Sequence, residues 1–116
     1  MFQSSNVTIM VSDFEKVLGF YTQALGFKLR HRFESEWAEV EGPGVVIGLH
    51  PAGKAGAKPS GGNYSIGLQV EHLETAMATL RDRGIEFAPH ISEDGPVRLA
   101  FFTDSEGNAL YLSETK

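Results

Sequence analysis

The sequence predicts a small α+β protein made of two tandem βαβββ modules, and three observations support this prediction. Residues 7–21 and residues 66–80 share one pattern, in which a short apolar strand and a polar break precede a segment of helical periodicity. Three short strand-like runs follow each of these segments. Residues 51–62, PAGKAGAKPSGG, have the composition of a linker between the modules.

The first module, about residues 1–50, opens with a strand at Val7–Val11. Ser12 and Asp13 are candidate N-cap residues, because their side-chain oxygens can accept hydrogen bonds from the first amides of a helix. Gly26 is a candidate for its end, since glycine adopts the left-handed conformation at low cost. One helical face is formed by Phe14, Val17, Leu18, Tyr21 and Leu25. The three predicted strands that follow are Phe27–Phe33, Trp37–Glu41 and Val45–His50.

The second module, about residues 63–116, repeats this order with a strand at Ile66–Val70 and a helix that ends at Gly84. The buried face of that helix is predicted to contain Leu73, Ala76, Met77 and Leu80. Its later strands are predicted at Ile85–Phe87, Val97–Thr103 and Ala109–Ser113. A half of about 55 residues would be marginally stable alone, so residues 1–116 are expected to form a single domain.

Composition narrows the classes of function. The chain has no cysteine, which excludes disulfide scaffolds and thiol catalysis and suits a reducing cytoplasm. The net charge of −5, with scattered basic residues, argues against nucleic acid as a partner. We expect no membrane association, because no apolar run approaches the roughly 20 residues that span a bilayer and no leader pattern is found.

Two strings carry a resemblance to a known family. VTIMVSDFEKVLGFYTQALGFKL at 7–29 and FFTDSEGNALYLSE at 101–114, together with the repeat, are similar to the vicinal-oxygen-chelate superfamily of glyoxalases, bleomycin-resistance proteins and extradiol dioxygenases. The resemblance covers essentially the whole chain. It implies a curved mixed sheet around a cleft, with the helices outside and a ligand in the cleft. Metal-dependent members place one ligand on the first and last strand of each module.

In this sequence those four metal positions align with Asn6, Gly48, Ser65 and Tyr111. None of them is an imidazole or a carboxylate, whereas a catalytic divalent metal normally has at least three such ligands. We therefore expect no metal and no cofactor. This departure removes the chemical basis for glyoxalase I or dioxygenase activity and matches the metal-free, drug-sequestering branch of the superfamily.

Strand alternation selects the other candidate ligand-binding residues, because alternate side chains share a face. Besides Asn6, Ser65 and Tyr111 they are Trp37, His50, Gln69 and Arg98. His50 is interpreted either as a hydrogen-bonding partner or general base for a ligand, or as a strand-end residue that contacts the loop at Pro51. Trp37 and Tyr111 would form a stacking wall or belong to the core. Arg98 would bind an anionic ligand or form a surface ion pair.

Three hypotheses of function remain open at this point. The first is a protein that binds a small organic molecule, such as a toxic or antibiotic compound, in an apolar cleft. The second is a metal-dependent lyase, isomerase or dioxygenase of the same superfamily, and the third is a metal-free enzyme that uses His50 as a base. We also expect a homodimer, because family members of this length commonly pair modules across subunits and the segment at 51–62 is long enough for exchange.

Overall fold

The computed structural model describes residues 1–53 and 64–115. The chain divides into two compact units, Met1–Ser60 and Gly61–Lys116. Each unit holds one four-stranded mixed sheet and one α-helix, so the predicted pair of βαβββ modules is confirmed. Most of the predicted linker, from residue 54 onwards, lies outside the described residues. Neither described helix is long and apolar enough to cross a membrane.

The sheet of the first unit contains strands β1 (Val7–Val11), β2 (Lys28–Phe33), β3 (Trp37–Gly42) and β4 (Val45–Pro51). They lie in the order β1-β4-β3-β2. β1 pairs with β4 in parallel, and the other two pairs are antiparallel. The inner strands are therefore β4 and β3, while β1 and β2 lie at the two edges, and every residue of β2 is exposed.

Helix α1 (Phe14–Gly19) begins as predicted, because the Asp13 carboxylate accepts a hydrogen bond from the Lys16 amide at 3.2 Å. The predicted single helix is interrupted, however, since residues Phe20–Ala24 form a π-helical turn before Gly26 reverses the chain at a φ of 77°. One face of the sheet packs against this helix. The core so formed contains Ile9, Val11, Val17, Leu18, Tyr21, Ala38, Val40, Ile47 and Leu49.

The sheet of the second unit contains strands β5 (Ser65–Gln69), β6 (Ser92–Asp94), β7 (Val97–Thr103) and β8 (Ala109–Thr115). Their order is β5-β8-β7-β6, with β5 and β8 parallel, so both units have the same topology. The strand predicted at Ile85–Phe87 is wrong, because this segment makes one isolated bridge, between Phe87 and Phe102. The outer strand is formed instead by the polar residues Ser92–Asp94.

Helix α2 (Leu73–Asp82) packs on one face of the second sheet. Its first amide is capped from outside the helix, because Leu73 N–H donates to the Glu114 carboxylate at 2.8 Å. Leu73, Met77 and Leu80 are buried as predicted, whereas Ala76 is only partly buried. They share the core of the unit with Ile66, Ile85, Ala100, Phe102, Leu110 and Leu112.

The turn between β7 and β8 is built on a buried polar pair. Asp104 accepts hydrogen bonds from the backbone amides of Glu106 and Asn108, and from the Asn108 side chain at 2.8 Å. Tyr64 O–H donates to Asn108 Oδ1 at 3.1 Å. Each buried polar group therefore has a partner, so this segment is a hairpin turn that fixes the register of β7 and β8.

Candidate functional site

The first sheet has a second face, opposite the one that α1 covers. Alternation places six side chains or glycines on it, and we call this set the first face: Thr8, Met10, Trp37, Glu39, Gly48 and His50. All of them are half-buried apart from Gly48, which is buried. Their neighbours Ile9, Val40 and Ile47 point to the helix side and are fully buried. The two sides of this sheet therefore carry different kinds of side chain, because successive residues of a strand point to opposite sides.

Trp37 lies over Gly48 on the first face. A Cβ placed on Gly48 would be 2.9 Å from Trp37 Cζ2, closer still to Cη2, and 3.0 Å from Thr8 Oγ1. Contacts as short as the one to Cζ2 do not occur in proteins, so the indole occupies the space that any side chain at position 48 would need. A larger residue at position 48 would force the ring off the backbone on which it rests.

The indole is also oriented through its polar edge. Trp37 Nε1–H donates to Glu39 Oε2 at 3.2 Å. Glu39 is paired in register with Gly48 on one side and with His31 on the other. The glycine and the carboxylate thus fix the position of the tryptophan ring from two directions. A carboxylate and an aromatic ring stand side by side in the middle of this face.

His50 borders the same ring. Its centroid lies 6.4 Å from that of Trp37, with the two planes inclined at 63°. His50 Nδ1 is 2.9 Å from the Pro51 carbonyl oxygen, which can only accept a hydrogen bond. Nδ1 therefore carries a hydrogen, and in the neutral ring Nε2 is the acceptor. The predicted contact with the loop at Pro51 is present, and it leaves the other ring nitrogen for a ligand.

In the second unit, the side of the sheet away from α2 carries a related arrangement. We call it the second face, and it comprises Ser65, Gly67, Gln69, Leu99, Phe101, Tyr111 and Ser113. Gly67 lies opposite Tyr111 in register, and a Cβ at Gly67 would be 2.8 Å from Tyr111 Cε2 and nearer still to Cζ and Oη. Phe101 is 39% exposed and packs beside Tyr111 at a centroid distance of 6.2 Å. Each unit therefore places an aromatic ring on a glycine.

Asn6 lies immediately before β1 and is exposed. Its Oδ1 accepts a hydrogen bond from the Thr8 hydroxyl at 2.7 Å, which ties it to the edge of the first face. Ser65 and Gln69 are exposed at the two ends of β5 on the second face. The structure thus brings Asn6, Trp37 and His50 to the first face of the first unit. It brings Ser65, Gln69 and Tyr111 to the second face of the second unit.

Arg98 is the candidate that the structure does not bring to these faces. It alternates with Leu99 and lies on the helix side of β7, where its guanidinium contacts Glu74 Oε1 at 3.1 Å and Glu114 Oε1 at 3.0 Å. Glu93 is a third carboxylate, 3.9 Å away. The ion-pair interpretation of Arg98 describes this geometry, and the side chain ties β7 to α2 and β8.

These contacts shift the ionisation of all three principal partners. The hydrogen bond from Arg98 lowers the pKa of Glu74. The Leu73 amide, followed by Arg98, lowers the pKa of Glu114. The two carboxylates raise the pKa of Arg98, which is charged at any physiological pH. This cluster is therefore a structural clamp that is charged at neutral pH.

The four positions at which the resemblance implies metal ligands do not fit a divalent cation. Gly48 offers no donor and admits no side chain, because Trp37 fills the space. Asn6, Ser65 and Tyr111 offer only neutral oxygens and an amide, whereas divalent transition metals bind imidazole, thiolate or carboxylate. Within residues 1–53 and 64–115, no three His, Asp or Glu side chains are grouped as a metal site would require.

Two residues beside Tyr111, Gly67 and Phe101, were not among the candidates from the sequence. Glu39 shares the face of Trp37, and the sequence allows two interpretations of it, as a partner for a cationic group or as a solvated carboxylate at the rim. Gly67 and Phe101 are both in register with Tyr111, so pairing of the strands, had it been known, would have identified them. Glu39 carries the signal of alternation with Trp37, but its hydrogen bond to the indole depends on a side-chain geometry that a strand pattern does not contain.

Comparison with known proteins gives a consistent result. The model of the Glyoxalase/Bleomycin resistance protein/Dioxygenase superfamily matches residues 4–112. A lactoylglutathione lyase of Schizosaccharomyces pombe is 24% identical over 99% of this chain, and the chain spans about half of that protein (49%). A solved member of the same superfamily from Sphaerobacter thermophilus is 30% identical, with a TM-score of 0.79 and 98% of each chain covered.

A third similar structure is an antibiotic binding protein, TnmS3, from a Streptomyces species. It is 23% identical to this chain, with a TM-score of 0.72 and complete coverage of both chains. At this level of identity the likeness shows a shared fold. The resemblance to this superfamily and the fold class, both predicted from the sequence, are confirmed.

Proposed function

The chain belongs to the Glyoxalase/Bleomycin resistance protein/Dioxygenase superfamily, and from this premise we propose that it binds a small organic molecule without the help of a metal ion. The observation that carries the proposal is the seating of an aromatic ring on a glycine in each unit, Trp37 on Gly48 and Tyr111 on Gly67. Flat, half-exposed aromatic surfaces with a few polar groups beside them are typical of sites for organic ligands.

The donor chemistry supports binding in preference to metal-dependent catalysis. The relative from Schizosaccharomyces pombe is a lactoylglutathione lyase, but the four positions at which the resemblance implies metal ligands supply no imidazole or carboxylate in this chain. The Streptomyces protein, described as an antibiotic binding protein, is an example of a binder built on this fold. Sequestration of a toxic or antibiotic compound is the role that we propose here.

We assign the ligand contacts to residues of the two faces. On the first face, Trp37 would stack against a planar group and His50 Nε2 would accept a hydrogen bond from it. On the second face, Tyr111 would offer the stacking surface, and Gln69 and Ser65 would form hydrogen bonds beside it. Asn6 would contribute from the margin of the first face. Arg98 has no place in this proposal, because three carboxylates already surround its guanidinium.

A screen of thermal stability against a library of planar organic compounds tests the proposal. A ligand present at 100 times its Kd stabilises the native state by about 2.7 kcal/mol, which raises the melting temperature by several degrees. The screen should be run with a chelator throughout. The proposal fails if no compound stabilises the protein under chelation, and the metal-dependent alternative gains support if stabilisation needs an added divalent ion.

A metal-free enzyme is the second candidate, and the geometry of His50 favours it. Because Nδ1 donates to the Pro51 carbonyl, the neutral ring presents Nε2 as a base on the same face as Trp37. Any compound found in the screen should therefore be followed by mass spectrometry for conversion. Turnover that disappears in His50→Gln would establish catalysis, and unchanged compound after prolonged incubation would leave binding as the function.

We further propose that the protein is a homodimer and works in the cytoplasm. Exchange of a module between subunits is a low-cost route to dimers, and the absence of cysteine suits a reducing compartment. Light scattering should give twice the chain mass of 12.7 kDa at working concentration. A mass of one chain at that concentration would contradict the dimer without affecting the proposed binding.

A further inference from the structure

We propose that the first face selects a planar organic cation, with the ring of the ligand on Trp37 and its positive group at Glu39. This inference rests on the proposed binding function and names the class of ligand. It is carried by the juxtaposition of one indole and one carboxylate on a sheet face, joined by the hydrogen bond from Trp37 Nε1 to Glu39 Oε2 at 3.2 Å.

The placement of Glu39 makes it more than a solvated surface charge. Its side chain is half-buried, and its Oε2 is engaged by the indole, so the carboxylate has a fixed position. Among the described residues, no Lys or Arg approaches it within the distance of an ion pair, whereas Glu41 on the same strand has Arg30 at 3.7 Å. Glu39 is thus the carboxylate of this strand whose charge the described part of the chain leaves unbalanced.

The tryptophan adds a second interaction that favours a cation. An indole face attracts a cation because the ring carries negative charge density on its faces. Hydrogen bonding of Nε1–H to a carboxylate increases that density. The glycine beneath the ring and His50 beside it hold the indole in one orientation, so a flat ligand meets a fixed ring and an adjacent charge. An anionic ligand would meet repulsion at the same place.

The first face carries few positive groups that would oppose a cation. His50 is neutral when Nε2 acts as an acceptor, and His31 lies across from Glu39 in register on the exposed strand β2. Glu39 is the one carboxylate among the six residues of the first face.

A series of quinolines of similar shape and different charge tests the inference through the emission of Trp37, the only tryptophan in the chain. The series comprises N-methylquinolinium, quinoline and quinoline-2-carboxylate, which are a cation, a neutral ring and an anion of nearly one shape. We expect the Kd of the cation, measured by quenching of Trp37 emission, to be about fivefold or more below that of the neutral ring. The anion should bind weakest.

Glu39→Gln is the decisive variant, because glutamine can still accept the indole N–H while losing the charge. It should abolish the preference for the cation and leave the affinity for neutral quinoline nearly unchanged. The matched control, Glu41→Gln, removes a carboxylate two residues away and should preserve the preference. Near-ultraviolet circular dichroism verifies that the indole stays ordered in both variants.

The outcomes separate this inference from the proposed function. Equal affinity of the wild-type protein for all three quinolines, or preference for the anion, would overturn the inference while leaving ligand binding intact. Failure of all three compounds and of the wider library would overturn both. Loss of preference in Glu41→Gln to the same extent as in Glu39→Gln would also overturn it, because general electrostatics would then explain the selectivity.

Discussion

Replacement of Gly48 by alanine should displace Trp37 and weaken ligand binding more than it weakens the fold. A Cβ at this position would lie 2.9 Å from Trp37 Cζ2 and closer still to Cη2, whereas carbon atoms pack at about 3.5–4.0 Å, so the ring must retreat by roughly 1 Å. Overpacking of this kind costs about 1–3 kcal/mol. Since Trp37 is half-exposed and can swing away from Gly48, we expect the lower end, about 1 kcal/mol, or a fall of roughly 4 °C in Tm.

The assay uses thermal unfolding by circular dichroism for stability and Trp37 emission for the position of the ring. Gly19→Ala is the matched control, because its new methyl group would have open space, with Gln23 Oε1 at 4.0 Å as its nearest neighbour. Alanine also favours a helix over glycine by up to about 1 kcal/mol, so the control should be as stable as the parent or slightly more stable. Unchanged emission and unchanged ligand affinity in Gly48→Ala would refute the seating of the indole on Gly48.

The remaining predictions concern the second face, the arginine clamp and the histidine. Gly67→Ala should weaken ligand binding at the second face through Tyr111, whose ring lies where the new methyl group would stand; unaltered affinity would exclude the second face as a binding surface. Arg98→Met should lower Tm and leave ligand affinity unchanged, while Arg30→Met, which breaks an exposed pair with Glu41, should change neither Tm nor ligand affinity. The lowered pKa values of Glu74 and Glu114 mean that their stabilisation is complete above the ordinary carboxyl pKa of 4.5 and is lost as the pH falls through the lowered values. The free energy of unfolding should therefore fall less steeply with decreasing pH in Arg98→Met than in the parent. An identical dependence on pH in the two proteins would contradict this account. His50→Ala should change the free energy of unfolding by about 1 kcal/mol or less, because it removes one hydrogen bond to the Pro51 carbonyl, yet weaken ligand binding by more; the reverse pattern would make His50 a structural residue.

The sequence was sufficient for the modules, because the repeat combines two periods that have physical causes. Helical spacing identified Phe14 and Val17 as buried residues of α1 and Tyr21 as the buried residue of the π-helical turn, and the Asp13 carboxylate caps α1 as expected. Strand alternation separated Ile47 and Leu49 from the opposite face of β4. These are local rules, so a single sequence contains the information they need.

The outer strand of the second sheet was missed because its cause is not local. Ile85 and Phe87 have the apolar character of a strand, but they are used for packing, with the Phe87 ring 5.2 Å from that of Phe102. Ser92–Asp94 has no apolar pattern and becomes a strand by pairing with β7 after a turn in which Gly95 has a φ of 60°. An exposed edge strand needs backbone partners more than apolar side chains.

For the candidate site, the sequence predicted only what strand alternation can show, namely which side chains share a face of a sheet. Alternation placed Trp37, His50 and Tyr111 on the sheet faces away from the helices, and it also placed Arg98 with Ala100 and Phe102. It could not indicate that the helix face also holds Glu74 and Glu114, whose carboxylates pair with that guanidinium. Nor could it indicate that each ring rests on a glycine, because the direction in which a side chain leans depends on the space around it.

The central claim, metal-independent binding of a small organic molecule beside Trp37, is tested most directly by one titration. Trp37 emission is followed while a ligand from the thermal screen is added to protein held in a chelator, and the titration is repeated after addition of Zn²⁺, Ni²⁺, Mn²⁺ or Fe²⁺. The account predicts a saturable change in emission under chelation, with the same Kd when metal is present. A change in emission that requires a divalent ion would contradict it.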